Sequence, residues 1–289
     1  MAQTTIVVTG GAGHVGSHVV EMLAVDAANR VISLDNYFTG REENHVPGVD
    51  YRRGHTQDID RLVPETPDLL LHLGEYARIA PSFDDVRQVF EMNISGTFAV
   101  VEFCRLRRVP KLVYAASSTR FAIEGDGRHQ SPYAFTKATN VDLIIDYGRW
   151  YGLPYALCYF YNGFGPRERS EGKYGTLIAK FERLYLQGRP MTVVRPGTQR
   201  RAFTHVTDLA RGMILAGKKG SGAYSFGQAE TYSILEIAEA FGGPVEMIDG
   251  YAGRSEAFND PTKAREELGW VPTVDVMDYI ANFRKTHPR

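Results

Sequence analysis

The stretch Thr9-Gly10-Gly11-Ala12-Gly13-His14-Val15-Gly16 decides the fold. A short apolar, β-branched run (Thr5-Ile-Val-Val-Thr9) leads into it, and a helical pattern from His14 to about Ala28 leads out. Gly10, Gly13 and Gly16 are spaced GxxGxxG. In such a strand–turn–helix unit the first glycine permits the tight turn. The second lets backbone approach a pyrophosphate, and the third lets helix and strand pack closely. The free N–H groups of the first helical turn, which holds His14 and Val15, face the anion.

Working outward, Arg30-Val-Ile-Ser-Leu-Asp35 reads as a second strand ending on an acid, 19 positions after Gly16. A carboxylate at that place accepts the hydroxyls of an adenosine ribose and repels a 2′-phosphate. Asn36 and Tyr37 follow, with no Lys or Arg directly after the acid, so the site favours NAD over NADP. Either feature alone is compatible with a plain glycine-rich turn beside a surface acid; their order and spacing argue for the dinucleotide.

Strand and helix patterns then alternate. A weaker strand lies near Val49 to Arg52, and Asp68 to Gly74 is nearly continuous apolar, as a strand buried on both faces should be. Ser82 to Arg108 reads as a long helix, Lys111 to Ser117 as a strand, Pro132 to Tyr151 as a helix and Tyr155 to Tyr161 as a strand. The expected class is α/β: a Rossmann doubly wound parallel sheet with a smaller C-terminal α/β substrate lobe. We expect a cofactor domain over residues 1–162, with returning segments near 200–230, and a lobe made mainly of residues 163–289. In that lobe Lys173 to Gly188 reads as a helix and Met191 to Val194 as a strand. Thr207 to Lys219 is helical, Ser233-Ile-Leu-Glu236 is a capping box, Asp260-Pro261 opens a helix stopped by Gly269, and a last helix starts near Asp275.

Composition narrows the function classes. The chain has 289 residues, 43% apolar and 23% charged, with a net charge of -1. That balance gives no electrostatic case for nucleic acid or an anionic membrane. No apolar run reaches the length of a membrane span, and no basic segment precedes the first strand, so we expect no signal peptide and a cytoplasmic protein. The two cysteines, Cys104 and Cys158, fit buried thiols in a reducing compartment, and no metal-ligand spacing stands out.

Tyr133-Ala-Phe-Thr-Lys137 places a phenol and an ammonium four residues apart on one helix face. A cation beside the phenol, and a nicotinamide cation near it, favour the phenolate that a tyrosine base needs. YxxxK is weak by itself. Its position gives it weight, because the preceding strand ends in Ala115-Ala116-Ser117-Ser118-Thr119 and brings the Ser117 hydroxyl to the same sheet edge.

Together these residues resemble the extended short-chain dehydrogenase/reductase superfamily, in its NAD-dependent nucleotide-sugar epimerase/dehydratase branch. The resemblance spans nearly the whole chain: TGGAGHVGSH, LDNYFTG, Asp58-Ile59, HLGEYARIAPS, MNISGT, SPYAFTK, YFYNGFGPR, QRRAFTHVTDLA and DPTKAREELGWVP. It implies catalytic roles for Ser117, Tyr133 and Lys137. It implies a cofactor wall of Gly10, Gly13, His14, Val15, Gly16, Asp35, Asn36, Leu73 and Asn93, joined by Tyr133 and Lys137, with Asp58 and Ile59 flanking the adenine. It implies a nucleotide-diphosphate sugar held by Ser117, Ser118, Asn162, Arg201 and Arg254. A homodimer is expected too, paired in the resembling family through a four-helix bundle of the helices Ser82 to Arg108 and Pro132 to Tyr151. Those helices carry apolar residues on more than one face (Val89, Phe98, Val101, Leu143, Ile144).

Some positions depart from the family pattern. The segment between Ser117 and Tyr133 is shorter, and Phe121-Ala122 replaces a tyrosine-glycine pair. Tyr159 stands where an arginine is common, Gly74-Glu75 replaces a pair of alanines, and Arg254 to Asp260 is too short for the usual spacing. Ser118, Thr119 and Arg120 follow Ser117, where the resembling dehydratases and decarboxylases place an acid. The leading expectation is therefore C4 epimerisation through a transient ketone. Two readings stay open beside it: a net sugar dehydrogenase or ketoreductase in which Glu75 holds the ketone in one orientation, and a dinucleotide-binding protein without turnover.

Overall fold

The computed structural model describes residues 3–121, 127–250, 252, 255 and 259–288. Six strands in chain order build the cofactor side: β1 (Thr4–Thr9), β2 (Asn29–Asp35), β3 (Asp50–Arg53), β4 (Leu69–His72), β5 (Leu112–Ser117) and β6 (Tyr155–Phe160). The strand Gly222–Phe226 returns to complete a seven-stranded sheet in the order Gly222–Phe226, β6, β5, β4, β1, β2, β3, and every neighbouring pair is parallel. Leu70, Leu71, Leu112 and Val113 are fully buried, so the central strands bury both faces, as their unbroken apolar runs require.

Strand order reverses between β1 and β4, and at such a switch point a crevice opens beyond the strands' C-terminal ends. Thr9 stitches that crevice. Its Oγ1 accepts from the N–H groups of Leu73 (3.2 Å) and Gly74 (3.0 Å) and lies 2.6 Å from His72 Nδ1.

Boundaries differ from the sequence reading where side chains compete with backbone. The first helix, α1 (His14–Ala24), ends before Ala28. Asn29 Nδ2 donates to the Leu23 carbonyl (2.9 Å) and Asp26 Oδ1 accepts from Ala28 N (3.0 Å), closing a turn before Ala28. The expected long helix from Ser82 is a short turn over Ala80–Phe83, a helical turn over Val86–Val89, a π-helical segment over Phe90–Ser95 and a regular helix over Gly96–Leu106. Asn140 Nδ2 donates to the Asn93 carbonyl (2.9 Å), and a side chain inserted into the ladder is a recognised cause of such a bulge. The helix expected from Lys173 begins at Leu177, after Gly172 turns the chain at φ 68°.

The helix Pro132–Tyr151 has the limits read from the sequence. Ser131 Oγ caps it by accepting from Ala134 N (3.0 Å), and Gly152 leaves it in the left-handed region at φ 69°. The Ser233/Glu236 capping box is present in full. C-terminal segments wrap a second core around Phe164, Phe181, Met191, Phe241 and Ile280. They are tied to the sheet layer through Asp208, whose carboxylate accepts from Thr273 N and Oγ1 (both 2.8 Å), while Trp270 Nε1 donates to the Asp208 carbonyl (2.8 Å). Cys104 and Cys158 are buried free thiols whose pKa values burial pushes up.

Candidate active site

A cavity of about 550 Å³ runs along the C-terminal edge of the sheet, from Gly10, Gly13 and Asp35 at one end to Asn162, Arg201 and Phe203 at the other. Its first end is shaped for backbone approach. Gly10 sits at φ 75°, and a Cβ there would lie 2.9 Å from the Gly74 backbone. A Cβ on Gly13 would meet the Gly10 carbonyl at 3.2 Å; one on Gly16 would strike the same oxygen at 2.0 Å. The turn therefore closes this tightly only while Gly10 and Gly16 lack side chains, with Gly13 nearly as constrained, a geometry that fits a pyrophosphate seated on the N-terminus of α1.

Asp35 is buried at the end of β2. Its Oδ2 accepts from Ala12 N (2.9 Å) and its Oδ1 from Tyr37 N (2.8 Å), which fixes the carboxylate against the glycine loop. Burial raises its pKa, and these two N–H groups oppose the rise. Each oxygen keeps a lone pair for a ribose hydroxyl. Asp35→Ala should weaken NAD binding at least about tenfold and narrow the preference over NADP, since a hydrogen bond to a charged group is worth ~1.5–3 kcal/mol. Titration of both cofactors against both proteins checks this; equal wild-type affinities would contradict it.

At the middle of the cavity, β5 delivers Ser117 and the helix Pro132–Tyr151 delivers Tyr133 and Lys137. Ser117 Oγ accepts from Thr119 Oγ1 (3.0 Å) and Thr119 N (3.3 Å), leaving its own proton to donate. Tyr133 packs beside Tyr76, Val89 and Met92. Lys137 donates to the Ala115 carbonyl and to the Glu75 carboxylate, with its ammonium 4.3 Å from the Tyr114 ring centre.

The far end holds Ser118, Asn162 and Arg201 on the wall. Asn162 Nδ2 donates to the Ala202 carbonyl (2.8 Å) and Arg201 Nη2 to the Ala252 carbonyl (3.1 Å). The neighbouring Arg200 instead pairs with Glu236 (3.1 Å) on the outer surface. Arg254 lies outside the described residues. Glycine-loop residues, Asn36 and Leu73 also line the cavity, whereas Asp58, Ile59 and Asn93 do not. Ile59 is buried in the sheet core and Asp58 is half-exposed near Arg61 (3.6 Å); His55, Thr56 and Gln57 occupy the wall beside Asn36. Asn93 is wholly buried, accepting from Tyr76 N (2.7 Å) and donating to Tyr76 O (3.1 Å) and Thr136 Oγ1 (3.0 Å). It positions the loop after β4 against the catalytic helix.

Two cavity residues had no separate signal in the sequence, because their partners come from remote segments. Arg78 donates from Nε to the Tyr174 carbonyl (2.7 Å). Burial lowers its pKa, while nearby Glu168 and Tyr133 oppose that shift. Glu168 accepts from Gly165 N (3.0 Å) through Oε2, and its buried Oε1 makes no hydrogen bond. Burial pushes its carboxyl up to about 7. Its ionisation is thus disfavoured in the fold, and the associated stability is lost as pH rises from the ordinary 4.5 through about 7. Thermal melts between roughly pH 5 and pH 8 should show Glu168→Gln gaining on the wild type with rising pH; parallel curves would contradict this. His14 lines the cavity half-buried, with its Nε2 enclosed and its pKa lowered to about 3, chiefly by desolvation and then by the nearby Arg78 charge, so its ring stays neutral.

A parallel sheet with a glycine cradle, a ribose-binding acid and a Tyr/Lys/Ser cluster at one edge defines a dinucleotide-dependent enzyme acting on a hydroxyl or carbonyl carbon. Residues 6–228 match the family described as "NAD dependent epimerase/dehydratase family", and the chain belongs to it. Its cofactor is NAD. A UDP-glucose 4-epimerase from Thermotoga maritima, solved with UDP-glucose, superposes with a TM-score of 0.88 at 25% identity, covering 98% of this chain and 99% of that one. A UDP-glucose 4-epimerase from Thermus thermophilus, solved with NAD, gives a TM-score of 0.85 at 29% identity over 97% and 99% of the two chains. UDP-glucuronic acid decarboxylase 3 of Arabidopsis thaliana is 27% identical over 94% of this chain and 86% of its own.

Proposed function

We propose that this chain epimerises a nucleotide-diphosphate sugar, at C4 of the sugar, through a transient ketone. The observation that carries the reading is the composition of the wall around Tyr133. Ser117 and Tyr133 offer a donor and a base, and the three residues directly after Ser117 carry no carboxylate to drive elimination or decarboxylation: Ser118 lines the wall, Thr119 is buried against Ser117, and Arg120 turns away to pair with Asp142 (2.9 Å). The sugar nucleotide lies toward Asn162 and Arg201, whose guanidinium suits a diphosphate. Arg254 belongs to the same proposal.

NAD, held by the glycine loop and Asp35, would supply a reversible hydride acceptor. Tyr133 receives the sugar hydroxyl proton while Ser117 donates to the same oxygen; on return to the other face Tyr133 gives the proton back. The dehydrogenase alternative assigned Glu75 the holding of the ketone. We set that role aside on the enclosure of the Glu75 carboxylate, whose side chain is 3% exposed and engaged by four donors. UDP-sugars incubated with the enzyme should yield an isomer with no net NADH; NADH accumulating in step with product would overturn the reading in favour of a dehydrogenase.

Among the described residues no helix is long and apolar enough to cross a membrane. We place the protein in the cytoplasm, with residues 1–162 and returning segments near 200–230 as the cofactor domain and residues 163–289 mainly as the substrate lobe. The protein acts as a homodimer through its paired helices. Val89, Val101 and Ile144, expected on that surface, are fully buried in the core, but Phe98 (50%), Leu106 (64%) and Trp150 (62%) stay exposed on Gly96–Leu106 and Pro132–Tyr151. Light scattering at micromolar concentration should give twice the 32.3 kDa chain mass, and Phe98→Asp should shift it toward the monomer. A monomeric wild type would contradict the dimer.

A further inference from the structure

Lys137 is not a free cation. Its ammonium is bound by the carboxylate of Glu75, a residue just past the end of β4, and the two side chains are 7% and 3% exposed. Glu75 Oε1 also accepts from Thr97 Oγ1 (2.7 Å), Tyr114 OH (3.0 Å) and Asn140 Nδ2 (2.7 Å). Thr97 in turn lies 2.9 Å from His72 Nε2, and His72 reaches Thr9 at 2.6 Å, so the carboxylate is anchored back to the first turn of the cofactor loop. Donors that favour the charged form surround Glu75 on every side, and Lys137 and the other donors hold its carboxyl below the usual range despite burial. The other groups facing the pair are His72, which burial keeps neutral, the Tyr114 phenol, and Tyr133 with Arg78 across the cavity.

We propose that Glu75, by pairing with Lys137 at the nicotinamide end of the cavity, is a positioning residue that cancels the lysine charge and biases the site toward the oxidised dinucleotide. Oxidised nicotinamide carries a positive charge and the reduced ring carries none. A bare buried lysine beside it would favour NADH. The added carboxylate removes that repulsion and restores affinity for NAD⁺. In the forward step the sugar C–H passes its hydride to NAD⁺, giving NADH, as the hydroxyl proton passes to Tyr133; the return step reverses both. A site balanced toward NAD⁺ makes the ketone with NADH the shorter-lived state, so hydride returns before the ketone escapes. The inference rests on the proposed placement of the nicotinamide against Tyr133 and Lys137.

Equilibrate the purified NAD-loaded protein with graded redox buffers, and read bound NADH by its near-ultraviolet absorbance. Glu75→Gln should raise the midpoint potential of the bound couple by at least about 30 mV, equal to a tenfold shift of relative affinity toward NADH for a two-electron couple. Lys137→Met should move it the other way, and the double variant should return to within about 10 mV of the wild type. A role confined to fold stability would move melting temperature and leave the potential alone. An unchanged potential in Glu75→Gln overturns the proposal. Should that variant fail to fold, equal potentials in Lys137→Met and the Glu75→Leu/Lys137→Met double variant overturn it instead. Wild-type protein that binds neither NAD⁺ nor NADH would overturn the cofactor placement itself, a failure distinct from bound cofactor with an unmoved potential.

Discussion

Turnover of Tyr133→Phe should fall at least roughly a hundredfold, because general-base assistance is typically worth ~10²–10⁴-fold. The substitution deletes one hydroxyl and keeps the ring that packs beside Tyr76, Val89 and Met92. Fold stability and NAD binding should therefore stay close to wild type, which separates this variant from one that merely loosens the site. The neighbouring carboxyls do not offer an easy substitute: Glu75 is enclosed, and Glu168 lies with the loop after Asn162. Steady-state turnover on the active nucleotide sugar, with a melt and a cofactor titration beside it, checks the prediction. Retention of more than about a third of wild-type turnover would withdraw the catalytic reading of Tyr133.

Gly16→Ala should produce the largest loss of cofactor affinity outside the catalytic trio. Its new Cβ would fall 2.0 Å from the Gly10 carbonyl oxygen, 2.8 Å from the Gly10 carbonyl carbon and 3.0 Å from Gly11 Cα. All three are backbone atoms, so no side chain can swing aside; α1 must lift from the loop. Overpacking of this kind costs ~1–3 kcal/mol, occasionally more, and here the cost falls on the helix end that faces the anion. The expected result is a lower melting temperature together with at least a hundredfold weaker NAD binding. Gly13→Ala meets the same oxygen at 3.2 Å and should spare stability while still weakening NAD, because Gly13 lines the cavity at the helix end where an anion is favoured. Equal melting temperatures for wild type and Gly16→Ala would contradict this account.

The parts of the site legible in the sequence are those whose geometry is local. Gly10, Gly13 and Gly16 act within one turn, Asp35 sits at a strand end, and Tyr133 and Lys137 are one helical turn apart; all six line the cavity. Asp58 and Ile59 fall off the wall because the loop after β3 rolls into a short helix at Ile59, which leaves His55, Thr56 and Gln57 facing inward. Such a roll depends on how Ile59 packs in the core, and no local pattern encodes it. Asn93 stood out in the sequence, but its bonds to Tyr76 and Thr136 join segments far apart in the chain. The departure at Glu75 was visible too. Its partners Thr97, Tyr114 and Lys137 come from three different elements, so the enclosure of its carboxylate by donors at the cavity wall emerged only from the fold.

The central claim is that one hydride leaves the sugar and returns to the same carbon. Incubation of the enzyme with a panel of UDP-, GDP-, CDP- and dTDP-sugars in deuterated water, followed by chromatography and mass spectrometry, tests it most directly. The account predicts a product of changed retention time and unchanged mass, since the migrating hydride never exchanges with solvent. An isomer that has gained deuterium at a carbon, or a product lighter by water or carbon dioxide, would contradict it.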